Sequence, residues 1–142
     1  MARRPVVTSR TKDQQSLHVG LWIAQIALAV FFALAGFVHG VLPIEQTAKS
    51  ARWAADLPVL LVKFIGAAEI AGAIGLIVPA AFRVLPMLTP LAALGLATIM
   101  ALAIPFHISR GETRIIGMHV VVGLLAVFVG WGRSTRARIE PR

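Results

Sequence analysis

The sequence predicts an all-α membrane protein in which four helices cross the bilayer and pack as one bundle. Three observations support this prediction: the 142 residues are 58% hydrophobic and 14% charged, the apolar residues fall in four long stretches, and most basic residues flank those stretches. A soluble globular domain carries about 25% charged residues. Because one span takes about 20 residues, four spans use most of the chain and leave room for a single domain.

The predicted spans cover residues 19–42, 57–79, 84–106 and 115–131. The first and third contain no charged residue, whereas Lys63 and Glu69 interrupt the second. The fourth, with 17 residues, lies at the short end of the range for a transmembrane helix. The short link between the second and third spans predicts an antiparallel helical hairpin.

The first span could also be the apolar part of a signal peptide, because basic residues precede it and Ala33-Leu34-Ala35 imitates a cleavage site. The apolar run continues past that site to Leu42. We therefore expect a retained first helix.

The Lys and Arg residues predict the orientation of the chain. If the amino terminus is inside, nine of them flank the inner side of the membrane and five the outer side. Because cytoplasmic flanks carry the excess, we predict a multi-pass protein of the cell (inner, cytoplasmic) membrane with both termini cytoplasmic. Residues 1–18 and 133–142 are then basic tails around a transmembrane domain of residues 19–132. This topology explains the net charge of +8, so we expect the lipid bilayer and no nucleic acid as partner.

The first outer loop is predicted to contain a short surface helix, because Ile44, Ala48, Ala51 and Ala55 recur at helical spacing. The sequence has no cysteine, which excludes disulfides, thiol redox chemistry and thiolate-bound iron–sulfur clusters.

Glu69 is the most unusual residue of the predicted spans. It lies about 12 residues into the second span, or roughly 18 Å along it, which is near the bilayer midplane. The small residues Gly66, Gly72 and Ala73 share its helix face and predict close packing against another helix. Two interpretations stay open: a carboxyl group that exchanges a proton or contacts a ligand, or a protonated acid bonded to a neighbouring helix.

Three histidines, His39, His107 and His119, are predicted at the outer ends of three different helices, in one layer. They could bond to backbone or lipid headgroups, share a quinone or proton site, or bind a metal or a haem. No short ligand motif links them, so we predict no metal site. The helical rise places Glu69 about 10 Å deeper than this layer, which predicts that a water molecule or ligand would have to join them.

Several segments resemble one family of small membrane proteins. They are FVHGVLP at residues 37–43, KFIGAAEIAGAIGL at 63–76, PMLTPLAALGL at 86–96 and the run 100–107. Through these segments the chain resembles the DoxX-like family over roughly residues 19–132. The resemblance implies a four-helix membrane protein, a link to quinone oxidoreduction, and functional roles for Glu69 and His107. His39 departs from the commoner family pattern, in which a lysine often follows the glycine near the end of the first helix.

Two functions are therefore considered. The first is an accessory subunit of a quinone-linked membrane redox system, working with a membrane or peripheral redox partner, in which Glu69, His107, His39 and His119 form the proton or quinone site. The second is a non-enzymatic scaffold or assembly factor for another membrane protein. A transporter is less favoured, because four helices enclose little volume unless the chain forms a homo-oligomer. Whether the chain is itself an enzyme stays open.

Overall fold

The computed structural model describes residues 8–142, with side chains from Lys12 onward. Five α-helices carry the fold: α1 (Thr8–Gly36), α2 (Ile44–Ser50), α3 (Val59–Phe82), α4 (Leu88–Ser109) and α5 (Ile116–Trp131). Wider π-helical turns extend α1 over Phe37–Val41 and α5 over Gly132–Arg136, and short 3-10 helices cover Arg52–Asp56 and Thr113–Ile115. No strand occurs within residues 8–142.

The four long helices form a closed ring, in which α1 packs on α3, α3 on α4, α4 on α5, and α5 back on α1. We call the end that carries α2 and the turn between α4 and α5 the loop end. The opposite end, with the start of α1, the turn between α3 and α4, and the residues after α5, is the tail end. Both termini of the described chain thus lie at one end of the bundle.

Four helical segments are long and apolar enough to cross a membrane: Lys12–Val41, Val59–Phe82, Leu88–Ser109 and Thr113–Arg136. Their outward faces carry large apolar side chains such as Leu60, Phe64 and Leu102, which are about two-thirds exposed or more. Large apolar surfaces of this kind are stable only in contact with lipid or another apolar partner. The predicted all-α, four-span fold is confirmed, and its spans imply contact with the lipid bilayer.

Large apolar side chains fill the centre of the bundle, among them Leu21, Leu28, Phe32, Leu76 and Leu96, each at most 2% exposed. At the loop end the packing changes, because glycines allow the backbones of α1 and α3 to touch. A Cβ atom added to Gly66 would lie only 2.1 Å from the backbone nitrogen of Gly40. Close approach of two helices through small residues is the typical packing mode inside membranes.

The helix bounds differ from the prediction where polar residues continue a helix. α1 begins at Thr8, well before residue 19, because Lys12, Gln14 and Gln15 are good helix formers and α1 contains no proline. α3 runs through Pro79 to Phe82 and ends where Arg83 adopts a left-handed conformation with φ of 57°. The short helix expected between the first two spans is confirmed as α2, which ends at Ser50, before Ala51 and Ala55.

Candidate functional site at the loop end

The centre of the candidate site is a direct contact between α3 and the π-helical end of α1. The Nδ1 atom of His39 lies 2.7 Å from the Oε2 atom of Glu69. The Glu69 side chain is 4% exposed and the His39 side chain 14%. The structure therefore joins a carboxyl and an imidazole by one hydrogen bond inside the bundle.

The expectation that Glu69 lies too deep to reach the histidines was wrong for His39. Side chains on a helix lean toward its amino terminus. α1 starts at the tail end, so the side chain of His39 leans toward the tail end. α3 starts at the loop end, so the side chain of Glu69 leans toward the loop end. The two side chains therefore converge across the glycine contact of Gly40 with Gly66, and the helical rise alone overestimates their separation.

A hydrogen-bonded carboxyl and imidazole can hold a proton in two ways. Either the imidazole N–H donates to a carboxylate, or the carboxylic acid donates to the ring nitrogen. Both arrangements keep the 2.7 Å contact. The remaining ring nitrogen of His39 can then give or take a proton from a further group. The pair has the composition of a proton-exchange site, since such groups act within hydrogen-bond reach of the proton they transfer.

An aromatic row connects His39 with the other two histidines. The ring of His39 meets Trp53 edge-on at a centroid distance of 5.0 Å, and Trp53 meets Phe106 at 6.4 Å. Phe106 contacts His107 at 5.4 Å, and His107 contacts His119 at 4.8 Å. The prediction that the histidines share a layer thus corresponds to five aromatic rings in sequence, with Trp53 and Phe106 between His39 and the other two.

His107 is held by a charged network in the turn after α4. Its Nδ1 atom lies 2.6 Å from Oε2 of Glu112, whose other oxygen accepts a hydrogen bond from Nε of Arg110 at 3.1 Å. Arg110 also donates to the carboxylate of Asp56. The hydrogen bond from Arg110, followed by the one from His107, lowers the pKa of Glu112. Glu112 and Asp56 in turn raise the pKa of Arg110.

An ionised Glu112 fixes the tautomer of His107, because a carboxylate can only accept a hydrogen bond and the Nδ1 atom must donate it. His119 is fixed in the same way, since its Nδ1 atom lies 2.8 Å from the carbonyl oxygen of Ile115. In their neutral forms both rings therefore carry the lone pair on Nε2. Both side chains are buried, and the two rings face each other from α4 and α5.

The residues predicted for the site thus form two groups. Glu69 and His39 are in direct contact, and the rings of His107 and His119 contact each other at a tilt of 48°, with the aromatic side chains of Trp53 and Phe106 between the groups. Within the described residues, no three histidine or acidic side chains lie close enough together to hold a metal ion.

Lys63 and Thr47 close the loop end around this site. The Nζ atom of Lys63 donates to the carbonyl oxygen of Leu42, and the hydroxyl of Thr47 donates to the carbonyl of Val38 at 2.7 Å. Wide helical turns leave carbonyl groups without their usual partners. These side chains therefore stabilise the turn that carries His39.

The comparison with protein families covers the residues of this site. The profile described as the DoxX-like family matches residues 23–129, which is more than half of the chain. The chain belongs to the DoxX-like family. No curated protein and no solved structure is significantly similar to it. The family match includes both parts of the candidate site of this DoxX-like protein, since Glu69, His39, His107 and His119 all lie within it.

Sequence reasoning missed several residues of this DoxX-like site. Trp53 lies in the 3-10 helix after α2, and nothing in its sequence surroundings indicates that its ring reaches His39. Glu112 was also missed, although it follows His107 by five residues and Arg110 by two. A charged pair in a short turn directly after a buried histidine is the signal that could have identified it.

Proposed function

We propose that this DoxX-like protein is an accessory subunit of a quinone-linked membrane redox system, in which it exchanges protons at the loop end. The observation that carries the proposal is the buried contact of His39 with Glu69. An ionisable group inside a membrane span is costly and is usually retained for a proton or ligand function. Here the acid has an imidazole partner through which a proton can leave or enter.

A quinone suits this position because its ring is planar, its hydrocarbon tail is apolar and its chemistry couples electrons to protons. Reduction of one quinone takes up two electrons and two protons and gives one quinol. In our proposal a partner redox protein exchanges the electrons, and each of the two groups supplies or takes up one of the two protons. Trp53 and Phe106, between the two groups, offer aromatic surfaces to a planar ring.

Access from the lipid supports the same proposal. Phe37 and Val41 near His39, and Phe64 on α3, are at least half exposed on the outer surface of the bundle. A quinone dissolved in the bilayer would meet these apolar side chains before it reaches the His39–Glu69 pair.

The proposal is tested by quinone reduction or quinol oxidation in membranes that contain the protein and its redox partner. Glu69→Gln keeps the size of the side chain but holds no exchangeable acid proton, and His107→Ala removes the second group. Loss of one general acid or base typically lowers a rate by about 100-fold or more. The matched control is Glu45→Gln on α2, an exposed acid in no hydrogen bond with the site residues that the structure describes.

Unchanged activity of Glu69→Gln and His107→Ala at normal protein levels would contradict the proposal. If Glu69→Gln instead lowers the abundance of the protein or the recovery of a membrane partner, with no separate effect on the rate, the chain is a scaffold. In that case the acid is a packing residue.

We further propose that the protein lies in the cell membrane with the tail end on the cytoplasmic side. The excess of Lys and Arg at that end supports this orientation. The loop end and its proton-exchange groups would then face the outer side.

A further inference from the structure

We propose that a groove at the tail end binds the phosphate headgroup of one anionic phospholipid. The groove lies between the turn that joins α3 to α4 and the chain after α5. Its lining includes Leu85, Met87, Leu88, Arg133, Arg138 and Glu140. This site is remote from the candidate quinone site, and the proposal does not depend on the proposed function.

Arg133 is the reason to expect an anion. Its side chain is nearly fully buried, with 3% of the residue exposed, although it is the first residue of the predicted basic tail. Nε donates to Oε1 of Gln25 at 2.5 Å, and Nη1 donates to the carbonyl of Ala137 at 3.3 Å and lies 3.0 Å from Nδ1 of His18. Nη2 is buried and has no hydrogen-bond partner among the described residues.

No ion pair within the described part of the chain neutralises the charge of Arg133. Among the described side chains no carboxylate forms an ion pair with Arg133, and residues 1–11 contain no Asp or Glu. Gln25 is neutral, and the ring of Trp22, 5.3 Å from the guanidinium carbon, offers only a cation–π contact. Burying a charge without a counter-charge costs desolvation free energy. An anion in the adjoining groove would offset this free-energy cost, which no described side chain offsets.

The rest of the groove fits a lipid better than a free ion. Leu85 and Met87 are 68% and 57% exposed, and Leu88 begins a membrane span. The turn between two spans must lie at the level of the lipid headgroups, because the helices on both sides enter the hydrocarbon. An amphiphile can there place acyl chains against the leucines and its phosphate near the guanidinium groups, as in basic lipid pockets between transmembrane helices.

Two exposed charges at the groove act in opposite directions. Arg138, whose Nε donates to the carbonyl of Ser134 at 2.5 Å, keeps its other nitrogens available for a phosphate. Glu140 repels an anion from the same groove. The proposal therefore predicts that substitutions at these two positions change lipid affinity in opposite directions.

The experiment uses the full chain in mild detergent and measures bound lipid by native mass spectrometry and by the shift in melting temperature. The probes are dioleoyl phosphatidylglycerol, dioleoyl phosphatidylcholine and inorganic phosphate. We expect one phosphatidylglycerol per chain and a higher melting temperature with that lipid only. Arg138→Gln should weaken its binding about two- to fivefold, as for one partly exposed ion pair, and Glu140→Gln should strengthen it.

Arg136→Gln is the matched control, because Arg136 is an exposed arginine of the same turn that lies outside the groove and stacks on Trp131. Equal effects of Arg136→Gln and Arg138→Gln would overturn the proposal, since they would show a general charge effect. Equal stabilisation by phosphatidylcholine would overturn it too. If inorganic phosphate alone reproduced the shift, the groove would be an anion site and the lipid assignment would be wrong.

Discussion

Substituting Gly66 by alanine tests whether the contact of α1 with α3 positions the His39–Glu69 pair. The added Cβ atom would lie 2.1 Å from the nitrogen of Gly40 and 2.5 Å from its Cα atom. Ordinary contacts of a Cβ atom begin at 3.4 Å, so the two helices must separate locally by about 1.3 Å. Both sides of the contact are backbone, and no side chain can rotate away.

The expected cost follows from this geometry. Overpacking a tight interior costs about 1–3 kcal/mol, and a backbone-on-backbone clash belongs at the upper end of that range. The higher helix propensity of alanine returns up to about 1 kcal/mol. We therefore expect Gly66→Ala to lower the free energy of unfolding by about 2 kcal/mol. The same separation would stretch the 2.7 Å contact of His39 with Glu69 beyond hydrogen-bond length.

The assay is unfolding in detergent, followed by circular dichroism, with the proton-linked activity measured in parallel. Gly95→Ala in α4 is the control, because an added Cβ atom there meets nothing within 4 Å, and it should be neutral or slightly stabilising. Gly123→Ala, with its nearest neighbour at 3.3 Å, should fall between the two. Equal stabilities of Gly66→Ala and Gly95→Ala would refute the reasoning.

Three further predictions concern the pair, the loop-end turn and the orientation. A double-mutant cycle with His39→Gln and Glu69→Gln should give a coupling energy of about 0.5–3 kcal/mol in unfolding measurements, as for residues in contact; additive effects would contradict the contact. The pKa of Glu112 is held below its ordinary value of 4.5, first by Arg110 and then by His107. Its carboxylate therefore stabilises the turn above that pH and loses this effect as the pH falls through the lowered pKa. The amide of Glu112 donates to the carbonyl of His107 at 3.0 Å, and its protection against hydrogen exchange, relative to an unstructured peptide at the same pH, should fall there in the native protein and already at neutral pH in Glu112→Gln; protection in the native protein that does not change with pH would contradict this. Tags at the two termini should both be protected in sealed right-side-out vesicles, and labelling of either would contradict the cytoplasmic orientation.

The fold could be predicted from the sequence because lipid imposes a simple rule, in which each crossing needs a long apolar helix. The helix bounds were less predictable. Hydropathy marks the part of a helix that lies in lipid, whereas Thr8–Gly36 continues into polar residues that form helix equally well in water.

Four residues of the candidate site could be singled out from the sequence, but their contacts could not. Glu69 and the three histidines are recognisable because ionisable groups are rare in spans. The distances between these residues depend on the direction in which each side chain points and on the glycine contact between α1 and α3. A depth calculated from the helical rise includes neither. Arg133 bonds to Gln25, 108 positions away in the sequence, and its place in a basic tail gives no sign of that contact or of its burial.

Infrared spectroscopy of Glu69 in lipid vesicles tests proton exchange most directly. The carbonyl stretch of a protonated carboxyl group is separate from the bands of a carboxylate, so one band follows this proton as quinone is reduced to quinol by an added reductant. We predict a reversible band change that is absent in Glu69→Gln, altered in His39→Gln and unchanged in Glu45→Gln. A spectrum in which no carboxyl band depends on Glu69 while quinone turns over would contradict a proton-exchanging pair.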